Sequence, residues 1–194
     1  MNQVKASPVE RILEVASDLF YTQGYRATGI NEIIKKSGVA KATFYSHFPT
    51  KDDLCMVYLQ GMREGEQAFV DSAIASAKTP LDRFLATLVS LEEWAKMTKF
   101  RGCAFLNMAS EIPDNNSPLR KEGALLYDNI RQRVKETTIK LIDSDPKKYG
   151  HLDAESLTDQ YMVIFSGTVA LVELYHDMGP IQQGVDTMRR LIGE

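Results

Sequence analysis

The sequence predicts an all-α protein, and three observations carry that prediction. Apolar residues recur at three- and four-residue spacing along most of the chain. Ser7-Pro8 and Thr79-Pro80 each pair a capping residue with proline at a first helical position. No stretch requires the two-residue alternation of a strand. At 194 residues and 44% hydrophobic, the chain can bury a sizeable core, and its length allows one or two domains.

The first helix begins at Ser7-Pro8-Val9-Glu10, where Glu10 can close a capping box. Ile12, Val15, Ala16, Leu19 and Phe20 form its inward stripe, Arg11, Glu14 and Asp18 read as a solvated face, and Gly24 ends it. Ala27-Thr28-Gly29 leads into a second helix with Ile30, Ile33 and Ile34 on one side and Thr28 or Gly29 as cap. Lys35 and Lys36 reach either a nucleic-acid backbone or solvent. Ser37-Gly38-Val39 interrupts this helix, and Gly38 suits the left-handed conformation that closes one. A third helix spans about Ala40 to Phe48. At about 100° per residue, Phe44 and Phe48 face inward and Ala42 and Ser46 lie opposite. Thr43, Tyr45 and His47 occupy the flanks. Lys41 falls nearer the core side, with a stem long enough to carry its ammonium outward.

Two short helices around a glycine turn suit an ordinary bundle, and they equally suit a helix-turn-helix whose second helix enters a DNA major groove. Pro49-Thr50-Lys51-Asp52-Asp53 then starts a long helix, capped by Thr50 and continuing to about Ala77, with Gly61 and Gly65 as points of weakness. Lys51 is electrostatically out of place at a positive helix end, and a phosphate partner would account for it.

A helix from Pro80 carries Phe84, Leu85, Leu88, Leu91, Trp94 and Ala95 on its apolar face. After a break at Lys99–Gly102, a short helix containing Cys103, Phe105, Leu106, Met108 and Ala109 is stopped by Pro113. A charge-rich helix to about Ile142 follows the loop at Asp114–Pro118. Asp143–Leu152 reads as a loop. The last two helices are expected at about Asp153–Met178 and Pro180–Ile192. From Tyr161 to Val172 the chain is apolar nearly all round, which requires cover on more than one side. Ser166, Gly167 and Ala170 would let another helix approach closely. Burial inside a monomer and pairing with a second copy both satisfy the pattern, and the second is the reading adopted.

Gly24-Tyr25, Ala27-Thr28, Ile33, Ser37-Gly38-Val39, Thr43, Tyr45, His47-Phe48, Lys51 and Leu54 together resemble the DNA-binding signature of the TetR family of bacterial transcriptional regulators. The match covers the first quarter to third of the chain with order and spacing intact. Beyond it, only length and helical character agree. The resemblance implies a three-helix helix-turn-helix DNA-binding domain at residues 1–50, joined by a long helix to a helical effector-binding and dimerisation domain at 51–194. It implies a homodimer on a near-palindromic operator in double-stranded DNA, most often as a repressor.

Within that reading Thr28, Lys41, Tyr45, His47 and Lys51 position the protein on phosphates, while Ala42, Thr43 and Ser46 touch base edges. No Arg or Asn projects from the third helix for bidentate base reading, so DNA shape supplies part of the specificity. The family's small-molecule cavity would be lined here by Phe69, Phe84, Trp94, Phe105, Met108, Tyr127, Met162 and Phe165, residues that equally serve as plain core. Such a lining suits a hydrophobic or aromatic effector.

The bulk charge is less informative. A net charge of −3 and a pI near 5.7 do not advertise a nucleic-acid binder. Residues 1–63 nevertheless hold eight Lys and Arg against six Asp and Glu, leaving the excess of acid to the remainder. Cys55 and Cys103 sit in apolar surroundings and read as buried thiols, with a redox pair as the alternative. The three histidines, His47, His151 and His176, are scattered, and no catalytic or metal-binding pattern appears. No cofactor, metal or enzymatic activity is expected. The opening MNQVKASP lacks the apolar stretch of a secretory leader, and the Tyr161–Val172 run is too short to span a bilayer, so a cytoplasmic chain is expected. A second function class stays open, an all-α protein-interaction module that does not bind DNA.

Overall fold

A computed structural model describes residues 6–194. Residues 1–5, part of the stretch read for a leader, lie outside the described residues. Eleven α-helices and no strands are present among the described residues: α1 (Pro8–Thr22), α2 (Ile30–Ser37), α3 (Lys41–His47), α4 (Lys51–Ser76), α5 (Pro80–Val89), α6 (Leu91–Met97), α7 (Ala104–Glu111), α8 (Pro118–Ser144), α9 (Pro146–Tyr149), α10 (Ala154–Tyr175) and α11 (Gly179–Leu191). None of them is long and apolar enough to cross a membrane.

The predicted caps form. Ser7 accepts from the Glu10 amide while the Glu10 carboxylate accepts from the Ser7 amide. Thr79 and Asp82 repeat the arrangement at α5, and Thr50 and Asp53 do so at α4. Two expectations are corrected. The helix expected from Pro80 through Ala95 is two helices, broken at Ser90. There the side chain donates to the Thr87 carbonyl at 3.0 Å, so a hydroxyl competes locally for helix acceptors. The loop expected at Asp143–Leu152 contains α9, a single turn that Asp145 caps through the Lys148 amide.

The chain divides into two compact units. One comprises residues up to Glu64 with Ala104–Ala124, and the other Gly65–Cys103 with Leu125–Glu194. This differs from the boundary expected between residues 50 and 51. The first part of α4 completes the N-terminal core: Leu54, Cys55, Tyr58 and Leu59 are buried, and the Tyr58 ring lies 5.7 Å from that of Phe20. Helix α7 and the start of α8 join the same unit, where Arg63 pairs with the buried Glu122 at 2.9 Å.

The second unit packs α5, α10 and α11 around Phe84, Leu88, Tyr161, Val172, Ile181 and Met188. The Phe84 and Tyr161 rings meet edge to face at 5.3 Å, and the Tyr161 hydroxyl accepts from the Leu88 amide. Gly184 lets α11 approach α10 closely, since a Cβ there would lie 2.7 Å from the Thr168 hydroxyl oxygen. Arg133 pairs with Asp71, and Arg131 bridges Glu155 and Asp159 on α10.

Candidate nucleic-acid interface and ligand cavity

In the N-terminal unit α1 packs against both α2 and α3. Phe44 is fully buried and Phe48 nearly so, which fixes the rotation of α3 about its axis. The opposite side of α3 is open: Lys41, Ala42, Tyr45, Ser46 and His47 are exposed, and Thr43 is half-buried beside them. Lys41 does project outward, as its stem allows. Tyr45 meets the edge of Phe44 at 5.3 Å, and Ser46 donates to the Thr43 carbonyl at 2.8 Å, so both side chains are held in place before any contact is made.

The turn between the two helices is held from α1. Gly38 takes φ +64°, a conformation that costs other residues about 1 kcal/mol or more. Arg11 donates to the Ser37 carbonyl at 3.2 Å, with the Gly38 carbonyl at 3.5 Å. The sequence placed Arg11 on a solvated face. The structure puts it on the turn, where one terminal guanidinium nitrogen meets carbonyls that a C-terminal helix end leaves open.

Thr28 and Lys51 also take roles the sequence did not predict. Thr28 is 1% exposed, and its hydroxyl donates inward to the Gly24 carbonyl at 2.7 Å, so it closes the loop before α2 and is not presented outward. Gly29, not Thr28, is the cap residue of α2. Lys51 donates to the carbonyls of Tyr25 and Thr28 at 3.0 and 3.2 Å, with its ammonium 4.2 Å from the Tyr25 ring centroid. The cation that looked misplaced at the start of α4 is therefore occupied by two carbonyls and an aromatic face.

The same loop is gripped from α7. Glu111 accepts from the Tyr25 amide at 3.1 Å and the Arg26 amide at 2.7 Å, one bond to each oxygen. Gly24, at φ +96°, makes room: a Cβ there would fall 2.5 Å from the Glu111 carboxylate. The Tyr25 hydroxyl bonds Asp52, and burial together with that carboxylate pushes the phenol well above its ordinary range. Thus residues 24–28 are tied to α4 and to α7 by polar contacts that all have partners.

In the second unit, four of the eight aromatics and methionines expected around an effector do surround one cavity: Phe69, Trp94, Tyr127 and Phe165. The other four lie elsewhere. Phe84 is fully buried against Tyr161, Phe105 and Met108 fill the core of the N-terminal unit, and Met162 is half-buried on α10 away from the cavity lining. Glu66, Cys103, Thr87 and Ser90 complete the polar part of the wall, and none of the four was singled out in the sequence as a ligand residue. Glu66 accepts from the Trp94 indole N–H at 3.0 Å, and burial holds its carboxyl above the usual carboxylate range. The buried Tyr127 hydroxyl makes no hydrogen bond of good geometry, with Cys103 and Ser166 as polar neighbours. Cys55 is fully buried in the other unit, and burial raises its thiol to about 12, which leaves it inert near neutral pH.

Helix α10 resolves its all-round apolarity into two faces. Tyr161, Phe165, Val169 and Val172 are buried, whereas Val163 and Leu174 are 73% and 70% exposed and Leu171 is also exposed. Gly167 and Ala170 lie open on that outer face, and nothing stands within 4 Å of a Cβ built at Gly167. Ser166 does not share it: half-buried, it donates to the Met162 carbonyl and sits by Tyr127.

An all-α chain whose second short helix is anchored by two phenylalanines and open on its far side is a helix-turn-helix protein. The profile of bacterial regulatory proteins of the tetR family matches residues 12–55, from α1 into α4. The chain is 32% identical over 133 residues to the transcriptional regulator LmrA of Bacillus subtilis, covering 63% of this chain and 71% of that one. It is 25% identical over 134 residues to the transcriptional repressor KstR2 of Mycobacterium tuberculosis, covering 64% and 66%. A solved TetR-family regulator from Streptomyces coelicolor superimposes with a TM-score of 0.82 at 27% identity, over 96% of both chains. The chain belongs to the TetR family and is a DNA-binding transcriptional regulator, not an enzyme.

Proposed function

We propose that the protein is a ligand-responsive repressor that binds a near-palindromic operator as a homodimer and works in the cytoplasm. The observation that carries this reading is the open face of α3, held at fixed rotation by Phe44 and Phe48. Lys41, Tyr45 and His47 reach phosphates, while Ala42, Thr43 and Ser46 face base edges, where a methyl or hydroxyl meets a thymine methyl or a single acceptor. Shape readout supplements these few contacts. Thr28 and Lys51 act one step behind, by fixing the loop that presents the start of α2.

The partner for the outer face of α10 is a second copy of this chain. Val163, Leu171 and Leu174 form an apolar stripe along one helix, with Gly167 and Ala170 permitting close approach, and the stripe continues onto Leu191 of α11. Self-association through such a stripe places two α3 helices on one DNA, as a two-fold operator requires. The repressor label of KstR2 supports repression here. The ligand acts by binding the state that fits DNA poorly, through the cavity around Trp94. The test is fluorescence anisotropy with the DNA upstream of the protein's own gene and a scrambled control, at two salt concentrations. Selective binding that weakens steeply with salt is expected. Binding that is weak, equal for both DNAs and insensitive to salt would instead favour a protein-interaction module.

A further inference from the structure

We infer that Arg26 is the phosphate contact of the loop that leads into α2, in the place where the sequence suggested Lys51. The contact requires only that the chain binds DNA, and not that it represses, pairs with a second copy or answers to a ligand.

Four arginines belong to the N-terminal unit. Three are spent within it: Arg11 on the Ser37 carbonyl, Arg63 on Glu122, and Arg120 on the carbonyls of Ala109 and Ile112 at 2.6 and 2.9 Å. Arg26 is exposed, and among the described residues its guanidinium has no hydrogen bond or ion pair. Its backbone is nonetheless fixed. The Arg26 amide donates to Glu111 at 2.7 Å, and the Tyr25 amide takes the other oxygen. A free side chain on an anchored backbone gives up only its own rotamers when it binds.

Arg26 lies three residues before Gly29, the cap of α2. Gly29 is exposed, has open space where a Cβ would stand, and offers no side-chain oxygen to the amides that follow. In a helix-turn-helix this first helix crosses the phosphate backbone while the second enters the groove. The loop before α2 is thereby carried to the strand that α2 crosses. Its other charges do not favour a phosphate by themselves. Glu111 is negative, as is Asp52, which accepts from the Tyr25 hydroxyl, and Lys51 alone offsets them while held on the carbonyls of Tyr25 and Thr28. Arg26 restores the balance, and its planar fork can take two phosphate oxygens at once. An arginine that was merely solvated would leave DNA binding unchanged on removal, and that distinction gives the test.

Fluorescence anisotropy is measured on the full-length protein with a random-sequence duplex and with the DNA upstream of its own gene, over about 50 to 200 mM salt. Arg26→Ala is expected to bind both DNAs about tenfold more weakly, with an unchanged thermal melt and an unchanged preference between them. Its salt slope should fall by about one for each subunit bound. Arg26→Lys should keep the slope and lose only part of the affinity, because the charge stays and the fork is lost. Lys121→Ala removes an exposed cation of the same unit from α8 and should change neither quantity. A slope that Arg26→Ala leaves unchanged would overturn the inference. So would an equal fall in Lys121→Ala, since net charge and not a contact would then set the affinity. A loss confined to one of the two DNAs would overturn it as well, because a phosphate contact is blind to sequence. Equal binding of both DNAs by the wild type, with the Arg26 effect on the slope intact, would leave this contact standing whatever becomes of the operator reading.

Discussion

Two carboxylates that look alike in the sequence mark the difference between the two units. Glu111, in the N-terminal unit, spends both oxygens on the backbone amides of Tyr25 and Arg26. Glu66, in the other unit, bonds one indole and lies against a cavity with no cation in its wall. The pattern extends beyond the pair. Around the helix-turn-helix, Thr28, Lys51 and Tyr25 have polar partners within the unit, and Arg11 bonds the turn through one terminal nitrogen while its buried Nε has none. The second unit leaves an underbonded carboxylate, a tyrosine hydroxyl without a good hydrogen bond and an apolar stripe open to solvent. A surface that reads DNA gains from having its geometry fixed in advance, because ordering it on binding would subtract from affinity. Under the proposed reading, a unit that answers to partners keeps groups whose satisfaction those partners supply.

The largest effect is expected where the open groups meet a second copy. A Val163→Asp, Leu174→Asp double variant places two charges on the exposed stripe of α10, where they disturb no buried contact of the chain itself. It is expected to sediment as a monomer with unchanged helicity. Operator affinity should fall about a hundredfold or more, since the second half-site then binds without the benefit of linkage. A dimer that survives both substitutions would move the interface away from this stripe.

Next in size is the Glu111 clasp. Glu111→Ala strips the acceptor from two amides and is expected to lower stability by about 1–3 kcal/mol, with operator affinity falling about tenfold. Glu111→Gln keeps one acceptor and should fall between, as read by thermal melts and anisotropy. Unchanged affinity in the alanine variant would mean that the loop before α2 holds its shape without α7. A smaller loss is expected for Lys51→Ala, about 1 kcal/mol of stability, as carbonyls lose a charged donor. Its distinguishing readout is the salt dependence of DNA binding. With the ammonium on the Tyr25 and Thr28 carbonyls, the slope should hold, whereas a lysine on a phosphate would reduce it by about one.

Those two residues also show what a sequence discloses. Helix starts are local events, so the Ser7–Glu10 capping box and the cap-and-proline start at Thr79-Pro80 were legible. The rotation of α3 followed from Phe44 and Phe48 alone, and with it the set of residues left open. The partner of Glu111 lies 86 residues earlier in the chain, and nothing in a helical period distinguishes a glutamate that grips a distant loop from one in solvent. Glu66 was hidden for the same reason. Lys51 did carry a signal, a cation at the wrong end of a helix, but that signal asks only for a negative or polar partner. Carbonyls of the chain answered it where a phosphate was expected. The aromatics failed in a different way: hydrophobicity says that Phe84 and Phe69 are both covered, without saying whether by side chains or by a ligand.

The smallest expected effect tests the Glu66 side of the comparison through stability. Burial raises the Glu66 carboxyl above its ordinary value of 4.5, and the Trp94 hydrogen bond opposes that shift only in part. Folding therefore favours the protonated form. The stabilisation is fully present below the unfolded-state value and is lost as pH rises through the higher folded-state value. Glu66→Gln keeps an acceptor for the indole and has no proton to lose. The wild type should thus lose stability relative to the variant as pH rises above about 4.5, and the difference of their melting temperatures cancels the other titrating groups. Parallel pH profiles for the two proteins would mean that Glu66 is solvated well enough to ionise as it does in the unfolded chain, and the contrast between the two units would then rest on the α10 stripe alone.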